Sequence, residues 1–239
     1  MKAIVLAAGL GIRLRPLTEN TPKALVKVNG IPMIELVIRR LIYYGFDRIV
    51  VNLHHFPGKI MHFLNTNECF GIEITTSDES EKLLGTGGGI KKASWFFNDD
   101  QPFLVHNVDV FSNIDLQKLY QTHCQAESIA TLAVKKRTTS RQLLFDDENI
   151  LCGWKDEVKG KKILTREPNS IYRELAFSGI HVLDPEIFNY MKDKDEFSII
   201  DTYLDICKYS EIKAYRHDKT FWIDLGTPEG LDMAEKYKA

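Results

Sequence analysis

The run Ala3-Ile4-Val5-Leu6 is apolar at every position and ends in a turn at Gly9. A strand without polar alternation must be covered on both faces, and the usual solution is a parallel sheet flanked by helices. The segments that follow keep to that plan. Ile34, Val37, Ile38 and Leu41 recur at helical spacing before a stop at Gly45. Residues 48–53 read as the next strand and residues 57–64 as a helix. Residues 72–76, a helix from about residue 88, and residues 103–108 extend the βα rhythm. Right-handed crossovers place such helices on both faces of one sheet.

The second half is less regular. Residues 128–134, 176–183 and 220–223 read as strands, and residues 143–154 as a hairpin turning at 146–149. Thr227-Pro228-Glu229 has the capping hydroxyl, the proline and the acid of a helix start. The charged stretch 155–162 is expected to be a solvated loop. With no low-complexity linker, residues 1–239 are expected to form one domain, a nucleotide-binding half over about 1–125 and a substrate-binding half over about 126–239.

Composition excludes several classes. A formal charge of -2 argues against a nucleic-acid partner, and 44% hydrophobic residues suffice for a core. The scattered Cys69, Cys124, Cys152 and Cys207 form no C-x-x-C pair and suit reduced thiols rather than zinc. The apolar run at residues 3–8 is too short for a leader or a membrane span. A cytoplasmic chain with no membrane partner is expected.

The first turn narrows the chemistry. Leu6-Ala7-Ala8-Gly9-Leu10-Gly11-Ile12-Arg13-Leu14-Arg15-Pro16-Leu17-Thr18 is followed by Thr21-Pro22-Lys23. A strand entering a glycine-rich turn lets backbone N–H groups approach a polyphosphate without obstruction by Cβ. A dinucleotide fingerprint needs a third glycine where Leu14 stands, and a Walker loop needs a Gly-Lys-Ser/Thr that is absent. The glycines are followed instead by Arg13, Arg15 and Lys23, which hold phosphate as two-pronged forks or as a point charge. No convincing Ser-His-Asp triad is visible. His54-His55 after a strand is a weak metal candidate; Glu79 and Glu81 are expected to face solvent, the alternative being that one of them accepts hydrogen bonds from a base or ribose edge.

The whole string resembles the signature of the sugar-1-phosphate nucleotidyltransferase family, L-A-A-G-x-G-x-R-x-x-P-x-T followed by P-K. Ile12 stands where that family often has Thr or Ser. Gly85-Thr86-Gly87-Gly88-Gly89 resembles its base-reading loop, and Asn107-Val108-Asp109 its strand-end G-D motif, with Val108 in the glycine position. Phe177-Ser178-Gly179-Ile180 is similar to the sugar-pocket strand, and Trp222-Ile223-Asp224-Leu225-Gly226-Thr227 to the second-metal motif. The resemblance covers nearly the whole chain and looks like the short form of the family, without a C-terminal β-helix or acyltransferase domain.

What the resemblance implies is specific. The fold is a Rossmann-like α/β, GT-A-like nucleotide-diphospho-sugar transferase with a mostly parallel central sheet and a sugar-binding lobe in the second half. Leu6, Ala8, Gly9, Gly11 and Arg13, with Glu79, Gly85, Thr86 and Gly87, bind the nucleoside triphosphate. Arg13 and Lys23 are catalytic, Lys23 bridging the sugar phosphate and the α-phosphate. Asn107, Ser178 and Gly179 hold the sugar 1-phosphate, while Asp109 and Asp224 ligate Mg²⁺. The motifs look most like uridylyltransferases that take UTP and N-acetylmuramate 1-phosphate. Guanylyltransferases for GTP and mannose or heptose 1-phosphate come next. A non-catalytic sensor of nucleotide sugars is a third reading, disfavoured by the retention of all four charged residues.

Overall fold

A computed structural model describes residues 1–169 and 171–237. The first half runs β1 (Lys2–Leu6), β2 (Lys27–Val28), β3 (Ile31–Pro32), α1 (Met33–Tyr43), β4 (Arg48–Leu53), α2 (Pro57–Thr66), β5 (Glu73–Asp78), α3 (Gly85–Lys92), β6 (Phe103–Asn107), β7 (Val110–Ser112) and α4 (Leu116–Cys124). The second continues through β8 (Ala130–Lys135), β9 (Arg141–Phe145), β10 (Leu151–Asp156), β11 (Lys161–Leu164), β12 (Arg173–Leu183), α5 (Ile199–Ile206), β13 (Ile212–Arg216), β14 (Trp222–Asp224) and α6 (Pro228–Glu235).

β1 pairs in parallel with β4 on one side and β6 on the other, and β4 pairs in parallel with β5. The apolar run of β1 is explained by where its side chains go. Ala3 and Val5 join a core that includes Ile34, Val37, Ile38 and Leu41 of α1. Ile4 points the other way, into a core with Ile90 of α3 and Tyr203 of α5. Each strand residue is thus buried whichever face it takes, and each large aliphatic side chain so covered stabilises the fold by about 1.5–3 kcal/mol.

From β6 outward the sheet changes direction. β12 runs antiparallel to β6, with Ile180 opposite His106, and antiparallel to β8, with a register shift between Phe177 and His181. β13 adds to β8 in parallel, and β9, β10 and β11 form an antiparallel meander joined to the start of β12. Among the described residues these make one ten-stranded mixed sheet whose first-half strands are the expected parallel set. A short ribbon pairs β14 with β7.

Two expectations are corrected. The stretch 155–162 is not one loop: Lys155 and Asp156 end β10, and Lys161–Leu164 is the edge strand β11. Exposed lysines are common on edge strands, where they discourage further pairing. The helix expected from about residue 88 starts a turn earlier, at Gly85. No helix among the described residues is long and apolar enough to cross a membrane.

Candidate active site

The parallel register aligns the carboxyl ends of three strands. Leu6 at the end of β1 lies opposite Asn107 of β6 and Asn52 of β4. These residues, with Ala8 and Gly9, line a cleft of about 230 Å³ at the sheet edge where α/β folds bind ligands. Past β1 the chain is held by Ala7, whose N–H donates to Asn52 Oδ1 at 2.6 Å. Gly11 then turns with φ 67°, a left-handed conformation. A Cβ there would stand 2.8 Å from Thr18 Cγ2, while Thr18 Oγ1–H donates to the Gly11 carbonyl at 2.8 Å. Glycine is therefore required at position 11 by both conformation and space. Among the described residues, the N–H groups of Gly9, Leu10 and Gly11 donate to no protein acceptor. Successive free amides of this kind form an anion-binding concavity.

Two cations and two carboxylates converge beside this turn. Lys23 begins a 3-10 turn, and its Nζ donates to Asp109 Oδ2. Arg13 places both terminal nitrogens 3.2 Å from Asp224 Oδ2. The β7–β14 ribbon brings the aspartates together: Asp224 lies opposite Val110, and Leu225 N–H donates to the Asp109 carbonyl at 2.8 Å. Gly226 marks the point of convergence. A Cβ there would lie 2.7 Å from Arg13 Nη2 and 2.8 Å from both Asp224 Oδ1 and Lys23 Nζ. Side chains distant in sequence thus share one small volume. The Arg13–Asp224 pair is solvated and adds little to stability, whereas Lys23 and Asp109 are mostly covered. Ile12 is 60% exposed and leaves the turn unobstructed, and Val108 in the glycine position packs into the core.

The base-side motif is built differently from expectation. Gly85 and Thr86 line the cleft. Gly87, Gly88 and Gly89 are buried, and added Cβ atoms would meet the Phe197 ring at 2.4 Å, the Asp195 carbonyl at 1.9 Å and Glu79 Oε1 at 2.6 Å. Gly87 and Gly88 allow α3 to sit against the segment before α5, and Gly89 leaves room for the Glu79 and Asn52 side chains. Thr86 Oγ1 also serves that contact, accepting from Ile199 N–H at 3.0 Å. Glu79 neither faces solvent nor lines the cleft. It is 1% exposed; Oε1 accepts from Asn52 Nδ2 at 2.7 Å and Oε2 from Leu84 N–H at 3.2 Å. Burial raises its pKa, opposed by those two hydrogen bonds. Glu79 therefore positions Asn52, whose other amide atom holds Ala7 at the start of the glycine-rich turn. Asn52 was not legible in the sequence, because its role depends on sheet register.

On the sugar side, Asn107 and Asp109 line the cleft. Gly179, at the irregularity of β12, admits the Asn107 amide: a Cβ at 179 would stand 2.7 Å from Asn107 Nδ2. Ser178 is fully buried and its hydroxyl is 2.7 Å from His217 Nε2, so this side chain does not reach the cleft. His106 Nδ1–H donates to the Asn107 carbonyl at 2.8 Å, and burial pushes the pKa of His106 down to about 3. His54 Nδ1 is engaged by the Glu79 carbonyl at 2.6 Å, and among the described residues no three His, Cys, Asp or Glu side chains gather as a metal site.

Comparison with known proteins agrees with this arrangement. The family model described as Nucleotidyl transferase matches residues 2–144. The chain is 43% identical over 241 residues to N-acetylmuramate alpha-1-phosphate uridylyltransferase of Caulobacter vibrioides, covering 98% of this chain and 95% of that protein. It is 29% identical over 232 residues to D-glycero-alpha-D-manno-heptose 1-phosphate guanylyltransferase of Campylobacter jejuni, covering 96% of each. Of some longer relatives it spans only 60% to 62% of the length. The fold is shared with HddC from Yersinia pseudotuberculosis complexed with GMP-PN, at a TM-score of 0.77, 23% identity and 98% coverage of both chains. By family match, by relatives of equal length and by the strand-to-turn architecture of its cleft, the chain belongs to the sugar-1-phosphate nucleotidyltransferases.

Proposed function

We propose that the chain joins a nucleoside triphosphate to a sugar 1-phosphate, releasing pyrophosphate, with UTP and N-acetylmuramate 1-phosphate as the preferred pair. One observation carries the reaction: three free N–H groups at Gly9 to Gly11 stand beside Lys23, Arg13 and two aspartates. The free amides and Arg13 suit the triphosphate. Lys23, between the turn and Asp109, suits the point where the sugar phosphate meets the α-phosphate. A phosphomonoester with its second pKa near 6 is mostly a dianion at neutral pH and needs no general base. Its oxygen attacks the α-phosphorus in line, and the bond from that phosphorus to the β-phosphate oxygen breaks as pyrophosphate leaves. The work left to the chain is to align two anions and offset their repulsion.

Asp109 and Asp224 are hard oxygen donors brought together by one ribbon, with no softer ligand among them. Two carboxylates completed by phosphate oxygens suit Mg²⁺, which takes few protein ligands. Bound there, Mg²⁺ supplies charge neutralisation to the phosphates. Cleft, turn and both aspartates are all retained, which favours catalysis over a sensor role.

The 43% identical uridylyltransferase of matching length supports the choice of UTP and N-acetylmuramate 1-phosphate. The heptose 1-phosphate guanylyltransferase of matching length supports the competing GTP reading at lower identity. Pyrophosphate release across a panel of triphosphates and sugar 1-phosphates tests both. A kcat/KM highest with UTP and the muramate sugar supports the proposal; a GTP optimum replaces it with the guanylyl reading. No release with any pair removes catalysis altogether.

A further inference from the structure

A second cleft, of about 820 Å³, opens in the second half between the loop after β8, Glu157 just past β10, and strands β9, β12 and β13. Its size is that of a small-molecule site. Its charge is uneven. The lining carboxylates Glu157 and Glu174 are both taken by Lys155, at 2.9 and 2.6 Å. Arg216 is taken by Asp218 at 2.6 Å. Three lining cations, Lys136, Arg137 and Arg173, have no carboxylate partner among the described residues.

Arg137 is the most constrained of the three. Its guanidinium carbon lies 4.0 Å from the centre of the Trp222 ring, and Nη2–H donates to the Phe177 carbonyl at 2.9 Å. Stacking and hydrogen bond fix the plane of the fork. Its Nε–H is nevertheless buried and has no acceptor. A buried donor left unpaired is rare and costly, and calls for a partner the protein does not supply. Burial lowers its pKa, and the charge of Asp224 partly opposes this. Trp222 makes that link structural: it stands two residues before Asp224, and its Nε1–H donates to the Ser178 carbonyl at 2.9 Å. A ligand on Arg137 is thus beside residues 177 and 178 of the proposed sugar strand.

We propose that Arg137, with Lys136 and Arg173 around it, binds a carboxylate that the sugar 1-phosphate carries away from its phosphorylated carbon. The inference rests on the sugar-1-phosphate reading above and assigns the residues that would select an acidic sugar. A carboxylate matches the planar fork of arginine and would satisfy the stranded Nε–H. A neutral hexose or heptose would leave that group unpaired. The second source of an oxyanion is the sugar phosphate itself, which every substrate of this class carries.

N-acetylmuramate 1-phosphate and N-acetylglucosamine 1-phosphate differ only by a lactic acid ether, so they separate the two sources. The experiment measures kcat and KM for both, with the preferred triphosphate, in the wild type, Arg137→Gln and Arg137→Lys. The wild type is expected to favour the acidic sugar. Arg137→Gln should lower the ratio of kcat/KM for acid over neutral sugar by about 10- to 100-fold, as expected for losing a charged hydrogen bond. The change should fall mainly on KM, with Arg137→Lys intermediate. Equal losses on both sugars would assign Arg137 to the shared phosphate and overturn the proposal, as would an unchanged ratio. If Arg137→Gln proves unfolded by its melting curve, the exposed Lys136→Gln decides: a selective rise in KM for the acid supports the site, and none overturns it. Wild-type turnover restricted to neutral sugars removes the carboxylate site alone. Absence of pyrophosphate release with every sugar removes the proposed function as well.

Discussion

Substituting alanine at Gly226 adds a single carbon where Arg13, Lys23 and Asp224 meet. The new Cβ would lie 2.7 Å from Arg13 Nη2, 2.8 Å from Asp224 Oδ1 and 2.8 Å from Lys23 Nζ, all closer than real Cβ contacts. Each obstructing atom is the far end of a side chain, so the fold has no reason to fail: the charged groups retreat by roughly 0.5–1 Å instead. Displacements of that size at a reacting centre cost up to about 10²-fold in rate. Gly226→Ala should therefore lower kcat by about 10–10²-fold with little change in melting temperature. Gly9→Ala is the contrasting case. There the added carbon meets only Lys23 Cδ, at 3.9 Å, so the protein tolerates it and any loss of triphosphate affinity reports ligand in that space. The assay is coupled pyrophosphate release over a range of both substrates, with a thermal melt of each variant. Wild-type kcat in Gly226→Ala would refute the convergence argument, and a large drop in melting temperature would refute the claim that only the site yields.

Lys23→Ala should lower kcat by about 10²–10³-fold, the usual cost of one preorganised electrostatic group, and Lys23→Arg should recover only part of it. Steady-state kinetics decide, and wild-type turnover in Lys23→Ala leaves the lysine no role. Asp109→Asn or Asp224→Asn should cut turnover steeply and raise the Mg²⁺ concentration needed for half-maximal rate. A Mg²⁺ titration indistinguishable from wild type would release that residue from the proposed metal site. Acid should weaken the fold. His106 and His181, with pKa values pushed down to about 3, and His123 and His217, to about 4, are buried and stay neutral in the folded chain. The unfolded chain takes up protons near pH 6.5, so these groups contribute fully above that pH and progressively less as pH falls towards 4. At pH 5.5 the loss is on the order of 1 kcal/mol for each histidine. A melting temperature that stays flat from pH 7.5 to 5 contradicts their neutral burial.

The strands most legible in the sequence are those buried on both faces. β1, β4 and β6 declare themselves because nearly every side chain must be apolar. β11 does not, because an edge strand needs few apolar residues and its two lysines resemble loop composition. β7 and β14, three residues each, are too short to show any period, although they bring the two aspartates together. In the site, the turn from Gly9 to Arg13 was readable because its constraints are local. Asn52 and Glu79 were not, since one holds the turn and the other holds Asn52 only through neighbours created by the sheet. Ser178 misled for the opposite reason: its motif is local, but the hydroxyl is claimed by His217 from a distant strand end.

β12 belongs to both halves of the molecule. Its residues 180–183 pair with β6, and along its other edge residues 181–183 face β8. The first-half and second-half sides of the sheet are consequently parts of one hydrogen-bonded ladder. Opening the two sides as rigid bodies would require breaking that ladder, an event closer in cost to unfolding than to breathing. On the proposed function, the spacing between two anions that repel one another is held by backbone geometry that neither ligand has to assemble.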